Sequence, residues 1–400
     1  MNKKLMAVAV ASALAAPAVA MAQSSVQMYG SIYMEYAFTS PGANTAGTGK
    51  PASVDILQAP GSNIGFKGEE KLGGGMSAWF DCQSTADFRG VSGDGFCTRN
   101  SAVGVKGNFG NFFIGNWDTP FKRTMGNVGG RDTGIFGTAD LLASNSTTVD
   151  DGGSAGVFKR RQRNSINFDS PNFGGFQFMA ATASTNSGSS ITTSDAAAKP
   201  RTWSLGGAYK AGPLDLAIGY ELHQDIYNNR VAGAAGSVTT AGATTVGTTA
   251  SNATFSGDES GYHLSAAYTL GNGLKLGFMY IAMEADTGVG ANAKSKNYQL
   301  GAEWKISGPH NLHFGYTVAD NMTGTLGATM GGRPAVGVAD NGAKLWQIRY
   351  LHDLSKRTTA SIGYVNLKND ISGTYDLMGV AGTGTGAKSS AVAMSIAHRF

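Results

Sequence analysis

A chain of 400 residues with 58 glycines, 10 prolines and only 14% charged side chains falls well below the roughly 25% charge of a typical soluble domain. Mean hydropathy is nevertheless close to neutral at −0.13, so the low charge is not offset by long apolar runs. The formal net charge is +4, two units of which belong to Lys3 and Lys4 at the start of the chain; no basic block follows, and there is no case for a nucleic-acid partner.

The first segment, MNKKLMAVAVASALAAPAVAMAQSSV, sets Lys3 and Lys4 ahead of an apolar stretch that ends in Ala20-Met21-Ala22. This is the layout of a secretory signal peptide cut between Ala22 and Gln23, which leaves residues 23–400 as one exported domain after a 1–22 leader. Beyond it no run of about 18 apolar residues occurs, so helical membrane spans are excluded on length.

Alternation recurs instead. SVQMYGSIYMEY sets Met28, Ile32, Met34 and Tyr36 against Gln27, Tyr29, Ser31, Tyr33 and Glu35. DLAIGYELHQ sets Leu216, Ile218, Tyr220 and Leu222 against Asp215, Ala217, Glu221 and His223. NYQLGAEWKI and NLHFGYTV repeat the pattern, and the closing AVAMSIAHRF sets Val392, Met394, Ile396, His398 and Phe400 against Ala391, Ala393, Ser395, Ala397 and Arg399. Each segment has one apolar face and one polar or small face, the period of a strand.

The connections alternate in length. Short links lie at 71–75, 107–110, 170–175, 211–213, 271–273, 307–309 and 353–356, and long Gly/Ser/Thr/Ala/Asn stretches lie near 39–61, 84–97, 118–158, 185–200, 226–258, 286–295, 321–341 and 369–387. The segments so bounded number about 16, roughly 9 to 13 residues each, the length that crosses a bilayer at a steep tilt. In hydrocarbon a sheet satisfies its amides only by closing on itself. The expected fold is therefore all-β: a transmembrane antiparallel β-barrel of about 16 strands, too wide for side chains to fill and so water-filled. Tyr209, Tyr220, Tyr268, Tyr280, Trp304 and Tyr350 cluster toward strand ends, as interfacial girdles require. Cys82 and Cys97 flank one long loop of an exported chain. That points to a disulfide, with two unpaired thiols as the alternative.

Several stretches resemble the general porins of Gram-negative outer membranes, in particular the β-proteobacterial branch. They are SSVQMYGSI, SNIGFKGEEKLGGGMSAWF (62–80), TRNSAVGVKGNFGNFFIGNWDTPF (98–121), NSINFDSPNFGGFQF (164–178) and the terminal Phe400. The resemblance implies a homotrimer among outer-membrane lipids, passive diffusion of small hydrophilic solutes and ions, and a third loop, Trp117–Phe158 here, folded into the lumen. It also implies a constriction in which basic wall residues oppose loop acids and set up a transverse field. Arg99, Arg161 and Arg163 are the expected basic wall, Asp118 and Asp132 the loop acids, with Lys67, Asp81, Lys122, Arg123 and Arg131 as further constriction candidates. Parity sets Arg161, Arg163, Ser165 and Asn167 on one face, opposite Ile166 and Phe168. Two positions depart from the family: its common arginine in SRLGFKG is Asn63, and the acid that often ends the third strand is Gln83, with Asp81 nearby. A mild anion preference is the resulting expectation. Phe400 resembles the terminal aromatic through which outer-membrane assembly machinery recognises its clients.

Catalytic constellations are missing from the linear sequence. The histidines are His223, His263, His310, His313, His352 and His398; only His310 and His313 stand close enough to suggest a ligand pair, and no G-x-S-x-G or H-E-x-x-H occurs. No enzyme activity, metal or cofactor is expected. The alternative function is an adhesin or receptor acting through the long, low-charge outer loops.

Overall fold

The computed structural model describes residues 26–44, 50, 52–90, 95–127, 134–138, 143, 158–184, 201–224, 230–231, 254–255, 258–286, 292–324, 339–377, 380 and 384–400. The expected cleavage site at Ala22 and Gln23 lies outside them, as do Arg131 and Asp132.

The strands are β1 (Gln27–Pro41), β2 (Asp55–Gln58), β3 (Asn63–Gly73), β4 (Met76–Thr85), β5 (Ser101–Gly107), β6 (Gly110–Asp118), β7 (Arg161–Asp169), β8 (Phe176–Ser184), β9 (Arg201–Ala211) and β10 (Leu214–Gln224). After two short pieces, β11 (Arg230–Val231) and β12 (Thr254–Phe255), follow β13 (Glu259–Thr269), β14 (Leu274–Ala285), β15 (Ala293–Ser307), β16 (His310–Ala319), β17 (Ala343–Asp353), β18 (Thr358–Asn369) and β19 (Lys388–Arg399). The main sheet holds 17 strands, but β2 and β3 pair with the upper and lower parts of the same strand β1 and so form one stave. The result is a closed antiparallel barrel of 16 staves.

Closure is made by β19 on β1, from Ser31 opposite Arg399 to Pro41 opposite Ser389. Gly30 and the terminal Phe400 exchange both backbone hydrogen bonds at 3.1 Å. No sheet edge is left open to hydrocarbon at this seam.

The alternation sorts as the period requires. Along β19, Val392, Met394 and Ile396 are exposed while Ala391 and Ala393 are buried; along β1, Tyr36 and Phe38 face out while Glu35 and Ala37 face in. This is the inverse of a soluble core: large apolar side chains meet lipid and polar ones line the interior. Tyr209, Tyr220, Tyr268 and Trp304 are among the outward aromatics, whereas Tyr350 is half-buried, with its hydroxyl 2.6 Å from His310 Nδ1.

Two features differ from the sequence expectation. The stretch near 39–61 is not all loop, because Asp55–Gln58 pairs with Glu35–Phe38. Strand lengths in the main sheet also spread more widely, from 4 residues in β2 and 7 in β5 to 15 in β1 and β15.

Candidate pore constriction

The connection from β6 to β7 enters the barrel. Thr119 caps a single helical turn, α1 (Pro120–Thr124), with its Oγ1 accepting from the Lys122 N–H at 3.3 Å and Pro120 at the first helical position, where a missing N–H costs nothing. The helix lies against the inner wall at β9, β10 and β13: Phe121 N–H donates to Ser204 Oγ at 3.0 Å, and Thr124 Oγ1 is 2.9 Å from His263 Nε2. Gly219 makes this approach possible, because a Cβ there would run into the His263 ring and stand 3.0 Å from Thr124 Oγ1. Phe121, Met125, Ala143 and Phe158 join Met279, Ile281 and Met283 of β14 in a buried apolar cluster.

The same connection also reaches the opposite wall. The turn at Gly134–Phe136 sits over β1, where Glu35, fully buried, accepts from Ile135 N–H at 2.8 Å, from Gln58 Nε2 at 2.6 Å and from the Tyr33 hydroxyl. Arg349 lies 4.9 Å from the Phe136 ring centroid and donates to Ser361, Ser395 and Tyr33. Ile135 and Phe136 share a second apolar cluster with Leu345, Val365, Leu367, Tyr375 and Leu377. Back at β7, Arg160 is fully buried with a guanidinium nitrogen 3.3 Å from His223 Nε2, and His223 sits between Glu221 and Glu259 under the stacked ring of Phe158.

The loop is thereby tied to β9, β10 and β13–β15 on one side and to β1, β17 and β18 on the other. Along the remaining sector, the inner faces of β3–β6 and the lower part of β1, the loop meets the wall through Lys122 on Asp118.

The expected constriction residues fall into separate groups around that sector. Asp118 meets Lys122 Nζ at 3.0 Å and Arg161 Nη2 at 3.3 Å, with Asn100 Nδ2 at 3.2 Å; Arg161 Nε donates to Asn100 Oδ1 at 2.8 Å. Arg123 turns away and grips Asp169 with both nitrogens, at 2.8 and 2.7 Å. Arg99 Nε donates to Gln83 Oε1 at 3.1 Å, and Gln83 donates in turn to Asn63 Oδ1 at 3.1 Å, so the two family departures hold each other. Lys67 stands opposite Asp81 in the ladder and 5.0 Å from the Tyr29 ring centroid, while Tyr29 donates its hydroxyl to Asp81.

One expectation is overturned. Arg163 does not share a face with Arg161: the β6–β7 register shifts between Gly115 and Trp117, and Asn164 takes φ 52°, so an extra residue is accommodated there. Arg163 and Asn164 occupy this irregularity, with Arg161 and Ser165 on either side of it. Arg161, Ser165 and Asn167 are buried, and Arg163 is exposed. Cys82 and Cys97 form a disulfide that clips the outer end of β4 to the start of the following strand approach.

Glu35, Arg160, His223, Glu259 and Arg349 were not singled out as site residues by sequence reasoning. Their only signal is polarity at lumen-side positions, which many harmless residues share.

The profile of the Gram-negative porins matches residues 7–372. The chain belongs to the Gram-negative porin family. This porin is 28% identical to outer membrane porin protein 32 of Delftia acidovorans over the whole of both chains. It is 37% identical to the major outer membrane protein P.IB of Neisseria gonorrhoeae over 117 residues, 29% of this chain and 30% of that one. Among solved structures, the anion-selective porin from Comamonas acidovorans superposes with a TM-score of 0.71 at 24% identity, covering 94% of this chain and 100% of that one. OmpT of Vibrio cholerae in its trimer form gives 0.63 at 16% identity, covering 94% and 99%. The porin resides in the outer membrane, and its barrel is a channel for passive diffusion.

Proposed function

We propose that this porin conducts small hydrophilic solutes with a mild preference for anions, through the lumen sector bounded by β1 and β3–β6 on one side and the inserted loop on the other. The observation that carries the reading is the charge of that sector. Among the described residues Lys67, Arg99, Lys106, Lys122 and Arg161 stand there against Glu69, Asp81 and Asp118. A surplus of fixed positive charge in a narrow, low-dielectric-walled passage raises the local concentration of anions. The anion-selective character stated for the Comamonas acidovorans porin supports the same sign.

Glu35 and Arg160 complete the reading as positioning residues. Glu35 holds the middle of the loop at Ile135 and Arg160 ties its return into β7, so the width of the sector is set by buried contacts rather than by the charges that face the solute. A homotrimer is the proposed assembly, supported by the trimer form of OmpT. Purified protein in planar bilayers should give conductance in groups of three equal steps, and proteoliposomes should swell in small sugars but not in large ones. Single isolated steps would contradict the trimer, and swelling independent of solute size would contradict a constriction.

A further inference from the structure

Beside Lys67 and Asp81 the inner wall of the sector carries an aromatic patch. The rings of Trp79, Phe113 and Trp117 form a triangle with centroid separations of 5.4, 5.8 and 5.2 Å. Register puts it in the lumen: Gln27 shares parity with Glu35 and pairs with Lys67, Lys67 pairs with Asp81, and Trp79 lies two residues from Asp81 on β4. The indole lies over Gly104, where a Cβ would stand 2.8 Å from its Cε2. Its N–H donates to Asn111 Oδ1 at 2.7 Å, which fixes the ring plane.

Beside this indole is a cavity of about 380 Å³ lined by Gln27, Lys67, Glu69, Trp79, Asp81 and Lys106. The charges around it do not balance. Lys67 and Lys106 line it against Asp81 and Glu69, and Lys71, outside the lining, adds a third lysine to Glu69 at 2.7 Å, so the surrounding cluster has three lysines and two carboxylates. A cavity of this size with an aromatic wall, two lysines in its lining and a third lysine in the surrounding cluster fits a small ring that carries an acid group.

We infer that this cavity is a lumen subsite for aromatic carboxylates, with the solute ring against Trp79 and its carboxylate between Lys67 and Lys106. The inference rests on the pore reading above and adds a solute class to it. A ring–ring contact contributes about 0.5–1.5 kcal/mol beyond area burial, which corresponds to about a 3- to 10-fold preference over a saturated ring of similar size. Residence there would be brief, as a diffusion channel requires.

The test uses the full-length trimer in planar bilayers with indole-3-acetate and cyclohexanecarboxylate as probes. Indole-3-acetate should reduce the mean single-channel current at about 3- to 10-fold lower concentration than cyclohexanecarboxylate, and W79L should abolish that difference while leaving the conductance in potassium chloride unchanged. W79F should restore part of it, and K67Q should weaken block by both anions without altering their ratio. Equal block by the two probes in the wild type, or an unchanged ratio in W79L, would overturn the inference. If W79L yields no channels, the wild-type ratio and the K67Q response decide it alone. Absence of conductance steps in the wild type would sink the pore reading itself and with it the subsite.

Discussion

Glu35 is the most informative single residue to change, because it joins the inserted loop to β1, a stave separate from the loop's root at β6 and β7. It is fully buried and accepts from Ile135 N–H at 2.8 Å and Gln58 Nε2 at 2.6 Å. In E35A the docked loop would hold the Ile135 N–H buried without an acceptor, whereas the undocked loop would hydrate it. An orphaned buried donor costs about 1–3 kcal/mol, which lowers the docked-to-undocked ratio by about 5- to 150-fold. Burial of Phe136, worth about 1.5–3 kcal/mol, opposes undocking, so the loop should fluctuate rather than leave. Single-channel recording should show excess open-channel noise and excursions to a larger conductance in E35A, and the double variant E35A/F136A should spend more time at the larger level. E35Q keeps an acceptor for Ile135 and should lie close to the wild type. Current traces of E35A indistinguishable from wild type in level and noise would refute the claim that this contact sets the pore width.

Other consequences are open to direct measurement. Reduction, or C82S/C97S, removes a cross-link that closes a 15-residue separation; a loop of that length loses about 3 kcal/mol of stabilisation in the chain-entropy account. Thermal unfolding should shift downward while conductance stays put. G219L should displace α1, since even a Cβ meets the His263 ring, and a changed conductance with a retained barrel circular-dichroism spectrum is the expected result. R123A leaves Asp169 without its two donors and should lower thermal stability more than D169N/R123A, because breaking one side of a partly buried pair costs more than removing both. F400S should reduce insertion into the outer membrane, measured by fractionation, while the molecules that do insert conduct normally.

How much of this was legible in the sequence follows from what each feature depends on. The staves are local: a period of two with one face in lipid is written in any ten residues, and AVAMSIAHRF already separates the outward Val392, Met394 and Ile396 from the inward Ala391 and Ala393. The insertion of the third loop was legible only through resemblance. Its anchors were not, because Glu35 and Ile135 are 100 residues apart and Arg160 and His223 are 63 apart, and polarity on the lumen face does not name a partner. Parity failed at Arg163 for a different reason. A bulge is a single-residue event, and the φ of 52° at Asn164 leaves no mark on a hydrophobic pattern; asparagine's tolerance of that backbone region was the one available hint. Trp79 was passed over because an aromatic near a strand end reads equally well as part of a girdle.

The central claim is that fixed positive charge in the sector beside the inserted loop sets the sign of selectivity. It is tested most directly by the zero-current potential of the trimer under a potassium chloride gradient. The potential should take the anion-preferring sign in the wild type and move toward zero in R99A/R161A. A cation-preferring sign, or a value unchanged by that double substitution, would contradict the account.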